Sequence, residues 1–140
     1  MALPEPEPGL VFRYDYVWLR EATAARKSGK ERPACIVAAL DAVDPRLVAI
    51  LPITHSAPTG TTAAIEIPLK ASRKLGLDDE RSWVVVSEAN IDDWPNAGLA
   101  PIPGKGSVFA YGFLPPDLFA VIKTAFLANL ARRRAKTVRR

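Results

Sequence analysis

Two apolar runs dominate the first half of the chain, Pro33-Ala34-Cys35-Ile36-Val37-Ala38-Ala39 and Leu47-Val48-Ala49-Ile50-Leu51-Pro52-Ile53. Each is short, carries β-branched residues and is bounded by Pro, Asp or polar positions, so both read as buried strands rather than as helix. If they pair antiparallel through the Asp41–Pro45 turn, the start of the first lies beside the end of the second. Arg32 enters the first run and Thr54-His55 leave the second. The pairing thus gathers a guanidinium, a hydroxyl and an imidazole at one sheet edge.

Strand signals recur on both sides of this pair. Leu10, Phe12, Tyr14, Tyr16 and Trp18 alternate with Arg13 and Asp15, the period of a strand with one buried face. Ala63–Ile67 is a further short strand, and Trp83-Val84-Val85-Val86 a fully buried one. Val108–Phe113 supplies a last strand. Two helices are predicted. A short internal one, Lys70–Leu75, is stopped by Gly76. A C-terminal one opens at Pro115-Pro116-Asp117 and carries a stripe of Leu118, Val121, Ile122, Ala125, Phe126 and Leu130. The Arg20–Glu31 segment reads as an exposed basic loop, with Arg26, Lys27 and Lys30 ahead of Arg32. Glu88-Ala89-Asn90 leaves the Trp83–Val86 strand, and Ile91–Gly106, rich in Pro and Gly, reads as a long irregular loop. Short strands, Gly/Pro-rich turns and a terminal helix point to a mainly β small barrel or curled sheet.

With 140 residues the chain is sized for one domain. We read 1–9, with its alternating prolines, as a flexible arm, 10–130 as the domain and 131–140 as a basic tail. The overall net charge of +4 belongs to that tail. Its six cations meet no acid, and the remainder carries thirteen cations against fifteen acids. The apolar runs fall far short of the ~20 residues of a membrane span. Met1–Gly9 is acidic and proline-rich rather than a secretion signal, and a lone Cys35 suits a reducing cytoplasm. No Cys/His metal spacing, phosphate-binding glycine loop or Ser-His-Asp set is legible, so neither metal nor cofactor is expected.

The order of these segments resembles the MazF/PemK family. The resemblance is carried by the strand into Trp18, the basic loop, Arg32-Pro33 before an apolar strand, Pro52-Ile53-Thr54, the Val-rich strand ending near an acid, and Tyr111-Gly112-Phe113-Leu114-Pro115-Pro116-Asp117-Leu118 before the last helix. It runs from about Leu10 to Leu130. It implies an SH3-like barrel with a C-terminal helix, usually a homodimer, acting as the toxin of a bacterial toxin–antitoxin pair. It further implies cleavage of single-stranded RNA without a metal and a cognate antitoxin protein as partner. By position, Arg32 matches the family's catalytic arginine, Thr54 its catalytic threonine and Glu88 the acid after the Val-rich strand. The chain departs from the pattern at Ala89, where a Gln is usual, and at His55, where a Ser is usual.

Metal-free RNA cleavage needs the ribose 2′-OH activated, extra negative charge on phosphate stabilised and the leaving oxygen protonated. Arg32 suits the second task, because its planar fork binds two phosphate oxygens and stays charged. Thr54 can donate to the phosphate. His55, the chain's one histidine, titrates near neutrality and suits proton transfer, and Glu88 is a candidate base or an anchor for Arg32. Trp94, beside a proline in the expected loop, is the aromatic expected to stack a base, with Arg26, Lys27 and Lys30 holding backbone. The remaining aromatics are expected in the core and Cys35 as an inert buried thiol. The competing reading is a non-catalytic barrel that binds RNA or a protein.

Overall fold

In a computed structural model, residues 3–23, 30–40 and 46–140 are described. Their order is β1 (Leu10–Tyr16), α1 (Leu19–Thr23), β2 (Lys30–Ala39), β3 (Arg46–Thr54), β4 (Ala64–Ile67), α2 (Leu69–Leu75), β5 (Ser82–Val85), β6 (Glu88–Trp94), β7 (Ala110–Phe113), α3 (Pro116–Ala131) and β8 (Lys136–Arg139). The two opening runs pair antiparallel as expected, with Ala34 opposite Pro52 and Cys35 opposite Leu51. The Asp41–Pro45 turn between them lies outside the described residues.

The sheet runs β4-β5-β3-β2-β1-β7, with β6 joined to β3 and β8 to β6. Every pairing is antiparallel except β6–β8. β3 carries the curl. Its Arg46–Ile50 half pairs with β6, whereas Ile53 and Thr54 pair with Val84 and Trp83 of β5. The result is a mainly β half-barrel with a few helices.

Strand alternation divides the core between two faces. Leu10, Phe12, Tyr14, Tyr16, Ala34, Ile36, Val48, Ile50 and Val85 lie on one, with Trp18 and Trp94. Val11, Cys35, Val37, Leu51, Ile53 and Val84 lie on the other, covered by Ala71 and Leu75 of α2 and by Ile122 and Phe126 of α3. The aromatics of the first face stack edge-on in a row, from Trp94–Phe12 at 5.1 Å between ring centroids to Tyr16–Trp18 at 5.3 Å. Such pairs each add about 0.5–1.5 kcal/mol beyond simple burial.

Five features differ from the sequence expectation, the first being that the expected Arg20–Glu31 loop opens within α1 and closes within β2. Residues 88–94 form a strand, because Ala89 and Ile91 pack toward the helix-covered core while Glu88, Asn90 and Asp92 turn inward to partners on the β1 side. Tyr14 Oη donates to Asp92 Oδ2 at 2.7 Å and Tyr16 Oη to Glu88 Oε2 at 3.1 Å. Asn90 accepts from Val17 N at 3.0 Å and donates to Val17 O at 2.7 Å. β1 and β6 are not neighbours in the sheet, so these bonds cross the hollow of the curl. In sequence the same polar residues imitate a loop.

The basic tail also acquires structure. β8 adds to β6, Arg139 pairs with Asp93 at 3.3 Å, and Arg140 lies over the Tyr14 ring while its guanidinium bonds the Asp15 backbone oxygen of β1. The N-terminal arm is docked rather than free, since Trp94 Nε1 donates to Pro4 O at 3.0 Å and Arg46 pairs with Glu5 at 2.8 Å. On α3, Ile122 and Phe126 are buried, but Val121 and Leu130 of the expected stripe face outward.

Two glycines are dictated by geometry. Gly76 caps α2 in the left-handed region at φ +73°, which an L side chain resists. A Cβ at Gly98 would stand 2.7 Å from Cε1 of the buried Tyr14 ring, so the loop after β6 closes over that ring only with glycine there. Among the described residues no helix is long and apolar enough to cross a membrane.

Candidate functional site

The hairpin of β2 and β3 delivers the predicted juxtaposition. Ala34 opposite Pro52 sets the register that brings Arg32, at the start of β2, beside Thr54, at the end of β3. Both line a cavity of about 250 Å³ together with His55, Lys30, Arg13, Tyr111 and Asp78. Both also line an adjoining cavity of about 230 Å³, with Trp18, Arg20 and the Ser56–Thr62 loop.

Arg32 is half-buried, and its guanidinium carbon lies 5.1 Å from the centre of the Trp18 ring. Arg20 stacks on the same ring at 5.0 Å. Burial pulls the Arg32 pKa below its ordinary value, aided by the neighbouring cations Arg20 and Arg13. An arginine starts so high that it stays charged at neutral pH. Its Nε is buried without a hydrogen-bond partner among the described residues, and so are the Nε of Arg13 and Nε1 of Trp18. Buried N–H groups of this kind cost about 1–3 kcal/mol each when unmatched, and an anion in the cavity is the natural acceptor for a guanidinium. Arg13 is held by the Tyr111 hydroxyl at 3.4 Å and by Glu31 at 3.8 Å.

Thr54 Oγ1 accepts the Ser56 backbone N–H at 3.1 Å, which fixes the turn and leaves the hydroxyl hydrogen to donate. His55 stands on the exposed rim. Its Nδ1 lies 2.9 Å from Arg81 O, and Nε2 lies 2.9 Å from Asp78 Oδ2 and 3.6 Å from Glu80 Oε2. The Arg81 carbonyl, with help from the two carboxylates, raises the His55 pKa above its ordinary value of 6.5. His55, Asp78 and Glu80 present ligand atoms within 4.8 Å of one another, so this trio is also where a divalent cation could be held. Residues 55, 78 and 80 share no metal-ligand spacing in sequence. The pairing of β3 with β5 brings them together.

Other expected site residues fall elsewhere. Glu88 lies away from the Arg32–Thr54 cavities, on the wall of a separate one of about 770 Å³. Its Oε2 accepts Leu19 N–H at 2.8 Å and the Tyr16 hydroxyl, so it braces the β1–α1 junction rather than orienting Arg32. Burial raises its pKa, opposed by those two hydrogen bonds. Trp94 offers no face to a base: it is 7% exposed, packed edge-on against Phe12 and capped by Pro4. Lys30 lines the first cavity. Arg26 and Lys27 lie outside the described residues. Cys35 is fully buried and desolvation pushes its thiol up to about 12, which leaves it unreactive.

Sequence reasoning passed over Arg13, Tyr111, Arg20 and Trp18 as site residues. The alternation of β1 carried a signal for Arg13, since it marks that residue as facing away from the aromatic row. No protein-family model matches the chain, and no curated protein matches it either.

Proposed function

We propose that this chain is a metal-independent endoribonuclease of the MazF/PemK type, built on an SH3-like barrel, and the toxin half of a toxin–antitoxin pair. The observation that carries the reading is a single cavity lined by Arg32, Thr54 and His55 with Arg13 and Lys30 around it. In the reaction the 2′-oxygen of a ribose forms a bond to the adjacent phosphorus and the P–O5′ bond breaks, leaving a cyclic phosphate and a 5′-OH. Arg32 holds the phosphate oxygens as charge builds, with Arg13 and Lys30 adding to the field. Thr54 donates to a non-bridging oxygen. His55, whose raised pKa keeps it partly protonated near neutrality, gives its proton to O5′. Asp78 and Glu31 are the carboxylates on the same wall that can take the 2′-OH proton.

The reading brings partners with it: single-stranded RNA as substrate, an acidic antitoxin that covers the cationic cavity, and a second copy of the chain in a homodimer. A second reading keeps the cavity as a binding site that does not cut. It is favoured by Glu88, whose carboxylate is engaged by Tyr16 and Leu19.

Incubation of the purified protein with mixed-sequence single-stranded RNA in EDTA separates the two. We expect cleavage products with cyclic phosphate ends, and a ~100- to 1000-fold slower rate for Arg32→Ala. Arg32→Lys should not restore it, because an ammonium cannot reproduce the two-pronged contact. RNA binding without cleavage by the wild type would establish the second reading.

A further inference from the structure

Shared lining residues put the three cavities in a row, the second and third of them against the Ser56–Thr62 loop. The two that hold Arg32 and Thr54 share those residues as a common wall. The second meets the third, of about 770 Å³, at Thr62, and chain neighbours Leu19/Arg20 and Thr59/Gly60 stand on either side of that junction. Cations outnumber acids along the row: Arg13, Lys30 and Arg32 with Glu31 and Asp78 at one end, Arg20 between, and Arg133, Arg134 and Lys136 with Glu88 at the far end.

The six cations of the tail are put to different uses. Arg139 pairs with Asp93 and Arg140 with Asp15, holding β8 and the chain end against the barrel. Arg133, Arg134 and Lys136 are exposed, line the large cavity and make no ion pair with any described residue. Their backbones are nonetheless anchored. Arg133 occupies the left-handed region at φ +57°, with its N–H on Leu130 O at 3.0 Å, and Arg134 N donates to Asn129 O at 2.7 Å. Asn129 Nδ2 in turn donates to Val86 O at 3.0 Å, and Lys136 N to Ser87 O at 3.1 Å. The opposite wall offers Thr61 and Thr62. Three cations on this wall outnumber the one carboxylate, Glu88, which Tyr16 and Leu19 already bond, so the hollow carries an excess of positive charge that attracts an anion, and hydroxyls beside it suit phosphate oxygens.

We propose that this third cavity is a second nucleic-acid subsite, in which the RNA strand engaged at Arg32 continues past the Ser56–Thr62 loop and sets its backbone phosphates against Arg133, Arg134 and Lys136. This rests on the reading of the Arg32 cavity as an RNA site and extends it. A short oligonucleotide fills the Arg32 end alone; a longer strand reaches both.

Binding of 2′-O-methyl RNA, which cannot be cleaved, tests it by fluorescence anisotropy with strands of ~3 and ~12 nucleotides. The variant is Arg133→Asn/Arg134→Gln/Lys136→Gln, with Asn chosen because it tolerates a positive φ. Circular dichroism and an unchanged melting temperature establish that it is folded. We expect its affinity for the long strand to fall ~10-fold or more and its salt slope to fall by ~2, with the short strand bound as before. Unchanged long-strand affinity and slope would overturn the subsite, as would equal losses on both strands. Loss of binding to an acidic polyglutamate peptide, with long-RNA binding intact, would overturn it in favour of a protein partner. Arg32→Ala reads the other premise: if it leaves the short strand bound as in wild type, the Arg32 cavity is not an RNA site, whatever the tail variant does.

Discussion

The polar residues of this half-barrel fall into two groups with opposite hydrogen-bonding states. Across the hollow of the curl, Glu88, Asn90 and Asp92 of β6 meet Tyr16, Leu19, Val17 and Tyr14 at 2.7–3.1 Å. At the β2–β3 end, the Nε of Arg32 and of Arg13 are buried with no hydrogen-bond partner among the described residues, and both side chains line a cavity. The first group holds the fold together. The second leaves buried donors unmatched beside a cavity, which costs stability that an anion bound by the same guanidiniums would offset.

Breaking the two groups should have opposite signatures. Arg32→Ala removes the unmatched donor, so cleavage should fall ~100- to 1000-fold while the melting temperature holds or rises. Asn90→Ala leaves the buried Val17 N–H and C=O without partners, at about 3 kcal/mol, and should lower the melting temperature by ~10 °C. The cleavage rate of the protein that remains folded should be unchanged. A large, specific rate loss in Asn90→Ala would break the comparison.

Glu88→Gln is the subtler test, because Glu88 belongs to the paired group by geometry and to the site by resemblance. Gln keeps an oxygen for Leu19 N–H and the Tyr16 hydroxyl, so the brace survives. Burial raises the Glu88 pKa, so its ionised form is less favoured in the folded state than in the unfolded chain. Wild type therefore loses stability as pH rises from the ordinary carboxylate value of 4.5 through the raised one. Gln cannot ionise, so the variant should gain on wild type over that window and hold its gain at pH ~7. Urea denaturation at several pH values reads this. A collapse of cleavage in Glu88→Gln would return Glu88 to the chemistry.

This division also explains what the sequence could reveal. The hairpin was legible because strand periodicity and a short turn fix which ends meet, and so Arg32, Thr54 and His55 came together as expected. β6 was not, because a strand that turns Glu88, Asn90 and Asp92 inward inverts the usual rule that polar residues face water. β8 was hidden for a related reason: its arginines read as a solvated tail until Asp93 and Asp15 supply their partners. Trp94 goes with β6, since a tryptophan before proline looks like a loop residue until Phe12 and Pro4 enclose it. In each case the missing information was a partner distant in sequence, not a local propensity.

His55 sits on the boundary between the two groups, bonded at both ring nitrogens yet open to water on the rim of the cavity. Because its folded pKa is raised, the stability it adds is fully present below its ordinary value of 6.5 and is lost as pH climbs through the raised value. His55→Gln should therefore be less stable than wild type at pH ~5.5 and equal to it at pH ~9. The gap should not exceed ~0.5 kcal/mol, since ion pairs this exposed are well screened. If His55 also protonates O5′, the wild-type rate should decline over the same rise in pH, and the variant should lose that limb of the profile. A stability gap that tracks pH without any change in the rate profile would assign His55 to the paired group alone, as a clasp between β3 and the turn that carries Asp78 and Glu80.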